Sequence, residues 1–214
     1  MTIIHPKNRQ ELREWLSANS ATEKEVFVHC IRREHESIMP YLDVVEEALC
    51  FGWIDSTCRP IEGDGYLQRL SPRKKNSNWT ELNKERCRRL IKLGLMTPAG
   101  KKTLPSLAKN SFKPELWVID AIKADKQAWN NHRKFHPLYV RVRLYNIQWY
   151  RKHISEESSF KMLDKYIKAA HDGKMIGEWN SWVFALDASA PPTESNGRAK
   201  VPQICYNFVA KTQK

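Results

Sequence analysis

The sequence predicts an α+β fold: a small, mainly antiparallel sheet from the N-terminal third, packed against a predominantly helical layer. Three observations predict it. Short apolar or alternating runs rich in β-branched and aromatic residues (EVFVHCIR, WIDST, GYLQRLS) cluster before residue 75. From Trp79 to Gly173, apolar residues recur at helical spacing between cap and proline signals. The connections between those helical stretches are short, as in packed helical layers.

Taken in order, residues 1–9 read as a short lead. Arg9 to Asn19 reads as a helix, with Leu12, Trp15 and Leu16 on one face, and Glu25 to Arg32 as a strand. Pro40 suits the first turn of a helix carrying Leu42, Val45, Ala48 and Leu49, which Gly52 should end. WIDST then reads as a short buried strand, and Gly65 to Ser71 as its return after the Gly63-Asp64-Gly65 turn, making three or four strands in all. Ser77 or Asn78 can cap a helix running to about Leu93, with Gly94 past its end. Thr97-Pro98, Pro114, Asp125, Pro137 and Ser155 each mark a further helix start, and Gly173 stops the last helix. These signals set residues 1–173 as one domain and 174–214 as an extension. The extension holds a linker-like stretch, 188–200, a strand-like end from Val201 to Ala210, and two tryptophans, Trp179 and Trp182, expected to be buried.

A chain of 214 residues can bury roughly 70% of its unfolded surface, so folding requires neither a metal nor a disulfide. Its net charge of +12 favours anionic partners such as nucleic acid, phosphorylated metabolites or an acidic membrane face, against a basic surface with no partner. The cysteines (Cys30, Cys50, Cys58, Cys87, Cys205) are odd in number, with no CxxC, and read as free thiols in a reducing cytoplasm. The expectation is no signal peptide and no membrane span.

The densest mixture of apolar anchors and polar chemistry runs from Cys50 to Arg89. Between Arg69 and Lys92 stand nine basic residues against two acids, Glu81 and Glu85. The loop SPRKKNSN feeds a helix N-terminus, whose unpaired N–H groups suit a phosphate or carboxylate; the alternative is a solvated basic turn. Asp55 sits in the apolar run FGWID, so it must be paired if buried, with Arg69 or Arg86 as partners, or else serve as a general base. Trp53 reads as core or as a ligand platform, and Cys50 and Cys58 as small apolar groups. On the helix from Trp79 to Leu93, Trp79, Leu82, Arg86, Leu90 and Leu93 should face inward with Asn83 beside them, while Glu81, Lys84, Glu85, Arg88 and Lys92 should be solvated. His132 and His136 share a helical spacing, but no third ligand lies near in sequence. The chain has no phosphate-binding GxxxxGK motif, GxGxxG, GxSxG or HExxH, and no metal or cofactor is expected.

Several of these pieces occur together in a known order. EEALCFGWIDS, RLSPRKKNSNW, the N-x-x-R of Asn83 to Arg86 and the GLMTPAG of Gly94 to Gly100 resemble the YdeI/OmpD-associated family of bacterial proteins, some of them labelled bacteriocin-protection proteins. The resemblance covers Arg9 to Gly100 and continues more loosely to Gly173. It implies envelope-stress or antimicrobial-peptide tolerance and association with a porin, and names no reaction. The residues point first to a cytoplasmic protein that binds an anionic ligand, with Trp53, Asp55, Arg69, Arg73, Ser77, Trp79, Asn83 and Arg86 lining the site. The alternatives are an enzyme acting on a phosphorylated or carboxylated small molecule with Asp55 as base, and a non-specific nucleic-acid-binding protein.

Overall fold

A computed structural model describes residues 1–32 and 35–176. The readings for Trp179, Trp182, Cys205, the 188–200 linker and the strand-like end lie outside the described residues. The described chain forms two units, one of residues 1–78 and 86–105, the other of residues 79–85 and 106–176. Among the described residues, no helix is long and apolar enough to cross a membrane.

The α+β class is what the chain adopts. In the first unit, strands β1 (Ile3–Ile4), β2 (Val26–Cys30), β3 (Trp53–Pro60) and β4 (Tyr66–Pro72) make a sheet of order β1-β2-β4-β3. Only β1 and β2 run parallel. The lead at residues 1–9 therefore contains an edge strand that a two-residue run could not announce. Directly paired residues share a face of the sheet. The register Val26↔Leu70, Val28↔Gln68 and Leu70↔Asp55 puts Asp55, with Trp53, on the face of Leu70, and the register Phe27↔Arg69 puts Arg69 on the other. A bulge interrupts β3 between Asp55 and Cys58. The buried Gln68 amide donates to the carbonyls of Ser56 and Thr57 there, so the polar groups freed by the irregularity do not go unmet.

Helices α1 (Arg9–Asn19) and α2 (Tyr41–Cys50) belong to the same unit. Asn8 caps α1 by accepting from the Glu11 N–H, and Leu12 and Leu16 are buried as the periodicity requires. Helix α2 starts after Pro40, and Gly52 follows it at φ 76°, a left-handed conformation that favours glycine. Unlike an ordinary amphipathic helix, α2 buries Asp43, Glu46 and Glu47 along with Val44, Val45, Ala48 and Leu49.

Helix α3 (Glu81–Lys92) begins later than the sequence suggested, and its cap is neither Ser77 nor Asn78. Thr80 Oγ1 accepts from the Asn83 N–H at 3.1 Å, while the Ser77 hydroxyl accepts from the Lys74 N–H in the preceding turn. Gly94 ends the helix at φ 71°, with Leu95 N donating back to Leu90 O. Helix α4 (Pro98–Lys102) follows, capped by Thr97 as predicted.

The second unit packs α5 (Leu116–Ala124), α6 (Lys126–His132), α7 (Pro137–His153) and α8 (Glu156–His171) around Val118, Ile122, Tyr139, Val142, Leu144, Ile147, Leu163 and Tyr166. Asp125 caps α6 and Ser155 caps α8, as their positions in the sequence foretold. His132 and His136 separate: His132 is buried at 2.8 Å from the Tyr166 hydroxyl, and His136 Nδ1 caps α7. Burial lowers the basicity of His132 below its ordinary value of 6.5. The unfolded chain then binds a proton that the folded chain resists, so stability present above pH 6.5 is lost as pH falls through that value and below it. In His132→Gln, which never charges, a thermal-unfolding series from pH 7.5 to 5 should show a shallower decline than the natural sequence. Equal slopes would remove His132 from the acid response.

Candidate functional site

The cluster from Cys50 to Arg89 folds into something more internally satisfied than its charge suggested. Trp53 is 1% exposed and packs edge-to-face on Trp15, with ring centroids 6.2 Å apart, so it is a core side chain. Asp55 accepts a 2.7 Å hydrogen bond from the Tyr41 hydroxyl. Arg69, on the other face of the sheet, pairs instead with Glu25 at 2.7 Å and with Ser56 Oγ. Alternation along the strands therefore keeps Arg69 and Asp55 apart, and the pairing expected between them does not form.

Arg73 is buried at the end of β4, and its guanidinium donates to the Asn78 carbonyl at 2.8 Å. Burial pushes its basicity down to about 10, with the Asp55 charge acting in the opposite direction; it remains a cation at neutral pH. Lys74 and Ser77 close a tight turn: Ser77 N donates to Lys74 O, and Lys74 N to Ser77 Oγ, both at 3.0 Å. Ser77 thus orders the turn with both of its groups. Lys74 and Lys75 project from it into solvent and make no ion pair among the described residues.

Arg86 is 5% exposed, as the inward face of its helix required, and Glu46 is a carboxylate that feels its charge. Asn83 and Trp79 fall in the second unit, as does Glu81. Glu81, placed among solvated residues by the sequence, is fully buried and bridged by Lys84 at 2.6 Å and Arg141 at 3.0 Å. A single-face reading fails for α3 because the helix serves two units: its first turn contributes to one interior, and Arg86, Cys87 and Leu90 to another. The helix N-terminus is already complemented by the Glu81 carboxylate and the Thr80 cap, which competes with an external anion.

The dominant electrostatic feature of the first unit escaped the sequence reading. Arg9 contacts Asp43 (3.2 Å), Glu46 (2.7 Å) and Glu47 (2.7 Å). Arg13 holds Glu47 at 2.8 Å and also donates to the Leu95 carbonyl, and Arg89 reaches Glu46 at 3.2 Å. Burial alone would lower the basicity of Arg9, yet the fields of Glu46, Glu47 and Asp43 outweigh it and raise it. Burial would raise the Glu46 carboxyl, but Arg9 and Arg89 hold it below its ordinary value. The signal available beforehand was three acids within five residues of an otherwise apolar helix, DVVEE, facing an arginine pair at i, i+4.

The rare motif GLMTPAG acquires a structural reason. The Cys50 carbonyl at the end of α2 accepts from both Thr97 N (3.1 Å) and Thr97 Oγ1 (2.6 Å). A Cβ on Gly100 would lie 2.2 Å from that same oxygen. Gly94, Thr97, Pro98 and Gly100 thus form a clasp of the α3–α4 connection onto the end of α2. Cys30, Cys50 and Cys87 are buried free thiols, each pushed up to about 12 by burial, which leaves them no thiolate for catalysis; Cys58 is free and exposed.

The first unit is thus a small mixed sheet with one buried layer of acids and arginines and a basic turn at one sheet end. A family described as Domain of unknown function (DUF8412) matches residues 4–103, a span that holds strands β2 to β4, the ionic network, the basic turn and the clasp. No curated protein and no solved structure matches the chain.

Proposed function

We propose that the first unit is a binding module for a small molecule carrying a phosphate or carboxylate group, held at the turn that follows β4. The observation that carries this reading is a buried Arg73 guanidinium, close enough to Asp55 to feel its charge, at the root of a hydrogen-bonded turn. Two exposed lysines, Lys74 and Lys75, stand on that turn without ion pairs among the described residues. A fixed turn presents its cations with little entropy left to lose on binding, which favours a small anion over a diffuse counter-ion cloud. Other basic groups of the first unit are engaged, Arg69 with Glu25 and Arg89 with Glu46. The site is accordingly narrower than the eight residues first grouped, and centres on Arg73, Lys74 and Lys75, with Asp55 and Tyr41 behind them. The reading includes a cytoplasmic location. Through the resemblance to the YdeI/OmpD-associated family, it also includes a link to envelope stress or antimicrobial-peptide tolerance.

Calorimetric titration with inorganic phosphate, sulfate and a panel of sugar phosphates and dicarboxylates tests it. The double substitution Lys74→Glu and Lys75→Glu should weaken binding of the best anion at least tenfold without moving the melting temperature, since both side chains are solvated. If no anion in the panel binds, or if the double variant binds as well as the natural sequence, the reading is wrong.

A further inference from the structure

We propose that the second unit carries a separate surface for single-stranded nucleic acid, formed by α6 and the chain on either side of it. Between Lys123 and Lys152 the sequence has eight lysines and arginines and one acid, Asp125. That acid is already engaged, accepting from the Ala128 N–H at 2.9 Å and bound to His171 at 2.8 Å. Lys123, Lys126, Arg133 and Lys134 are exposed and pair with no carboxylate among the described residues; Arg133 donates only to the neutral Asn130 side chain. Other cations of this unit are neutralised on their own helices or by neighbours, as Lys161 is by Glu157, Lys168 by Asp164 and Arg151 by Glu156. Lys109, Lys113, Lys152 and Lys165 are likewise exposed and without a salt bridge among the described residues, so what sets α6 and its flanks apart is the grouping of Lys123, Lys126, Arg133 and Lys134 within one short stretch.

An aromatic ring lies in the middle of this charge. Trp129 on α6 is half-buried and stacked on His132 at 5.1 Å and 16°, which fixes the plane of the indole. The Lys123 ammonium stands 5.3 Å and the Arg133 guanidinium 5.9 Å from its ring centroid. Cations that follow a phosphodiester chain, interleaved with an oriented aromatic ring on which a base can stack, are the two elements of sequence-tolerant single-strand binding. A small anion needs only the charge, and a folded duplex offers no free base to the ring. This surface is independent of the anion site proposed for the first unit and shares no residue with it.

Fluorescence anisotropy of a labelled twelve-residue oligo(dT), titrated with the full chain from 25 to 300 mM salt, tests the proposal. Four cations neutralising four phosphates give a slope of log K against log salt of about −3. The double substitution Lys126→Glu and Lys134→Glu should at least halve that slope and weaken binding more than tenfold at low salt. The pair Lys161→Glu and Lys168→Glu, on α8, makes the same change in net charge and should alter both far less. The oligonucleotide should quench tryptophan emission, and Trp129→Phe should remove most of the quench. Equal weakening by both double variants would reduce the effect to net charge and overturn the proposal. Absence of binding at 25 mM salt would also overturn it. So would vesicles of anionic phospholipid binding as tightly through Lys126 and Lys134, which would make the surface a membrane contact.

Discussion

Replacing Arg9 with methionine will destabilise the first unit by about 3–5 kcal/mol, read as a fall in the midpoint of urea unfolding. Methionine keeps the bulk of the arginine stem, so the loss is electrostatic. Arg9 contacts Asp43, Glu46 and Glu47 together, and Glu47 is 2% exposed. Arg13 and Arg89 would still reach Glu47 and Glu46. With the Arg86 charge also acting on Glu46, the three carboxylates would still lose the one cation they share, inside a low-dielectric interior where a poorly compensated charge costs far more than at the surface. The variant should recover part of its stability in mild acid, because protonating a carboxylate relieves the excess. The natural sequence responds with the opposite sign. Its Glu46 is held below its ordinary value of 4.5, so it contributes stability above that pH and loses it as pH falls further. A variant within 1 kcal/mol of the natural sequence at pH 7 would mean that the network makes no net contribution.

The second large effect is expected at Gly100. Alanine there would set a Cβ 2.2 Å from the Cys50 carbonyl oxygen, 2.7 Å from its carbonyl carbon and 2.7 Å from Met96 Sδ. The methionine can move; the backbone at the end of α2 is fixed by two hydrogen bonds from Thr97 and cannot yield without breaking them. Overpacking of this kind costs roughly 3 kcal/mol, the upper end of the usual range, because the obstacle is main chain. Gly63→Ala is the matched comparison, since nothing lies within 4 Å of its added Cβ and only its φ of 84° is unfavourable. Calorimetric melting of the two variants should rank Gly100→Ala well below Gly63→Ala; the reverse order would refute the clasp.

Punctuation made the fold legible. Thr97, Asp125 and Ser155 are caps whose oxygens suit no other backbone position so well, and Gly52, Gly94 and Gly173 are left-handed stops. Local chemistry decides those positions, so local sequence reports them. Charge was harder to read. The sequence counted cations around Arg69 to Lys92 but could not say which would be consumed, because Glu25, Glu46 and Arg141 lie far off in the chain. The face of Arg69 was likewise hidden, since it depends on register across β2 and β4 and not on β4 alone. Helix α3 misled for a related reason. A periodicity argument assumes one interior, and Glu81 and Arg86 are buried in different ones.

The arginine–carboxylate layer between α1, α2 and Arg89 also constrains how this sequence can change over time. Arg9 touches three acids, and Glu46 and Glu47 each touch two arginines, so no member can be exchanged without stranding another. A route from this set to an apolar one passes through intermediates carrying an unmatched internal charge, even where the end point would be as stable as the start. Lineages should therefore keep the set entire or lose it together. In related chains, the residues aligned with Arg9, Arg13, Asp43, Glu46, Glu47 and Arg89 should vary as a block, while the exposed lysines around them drift one at a time.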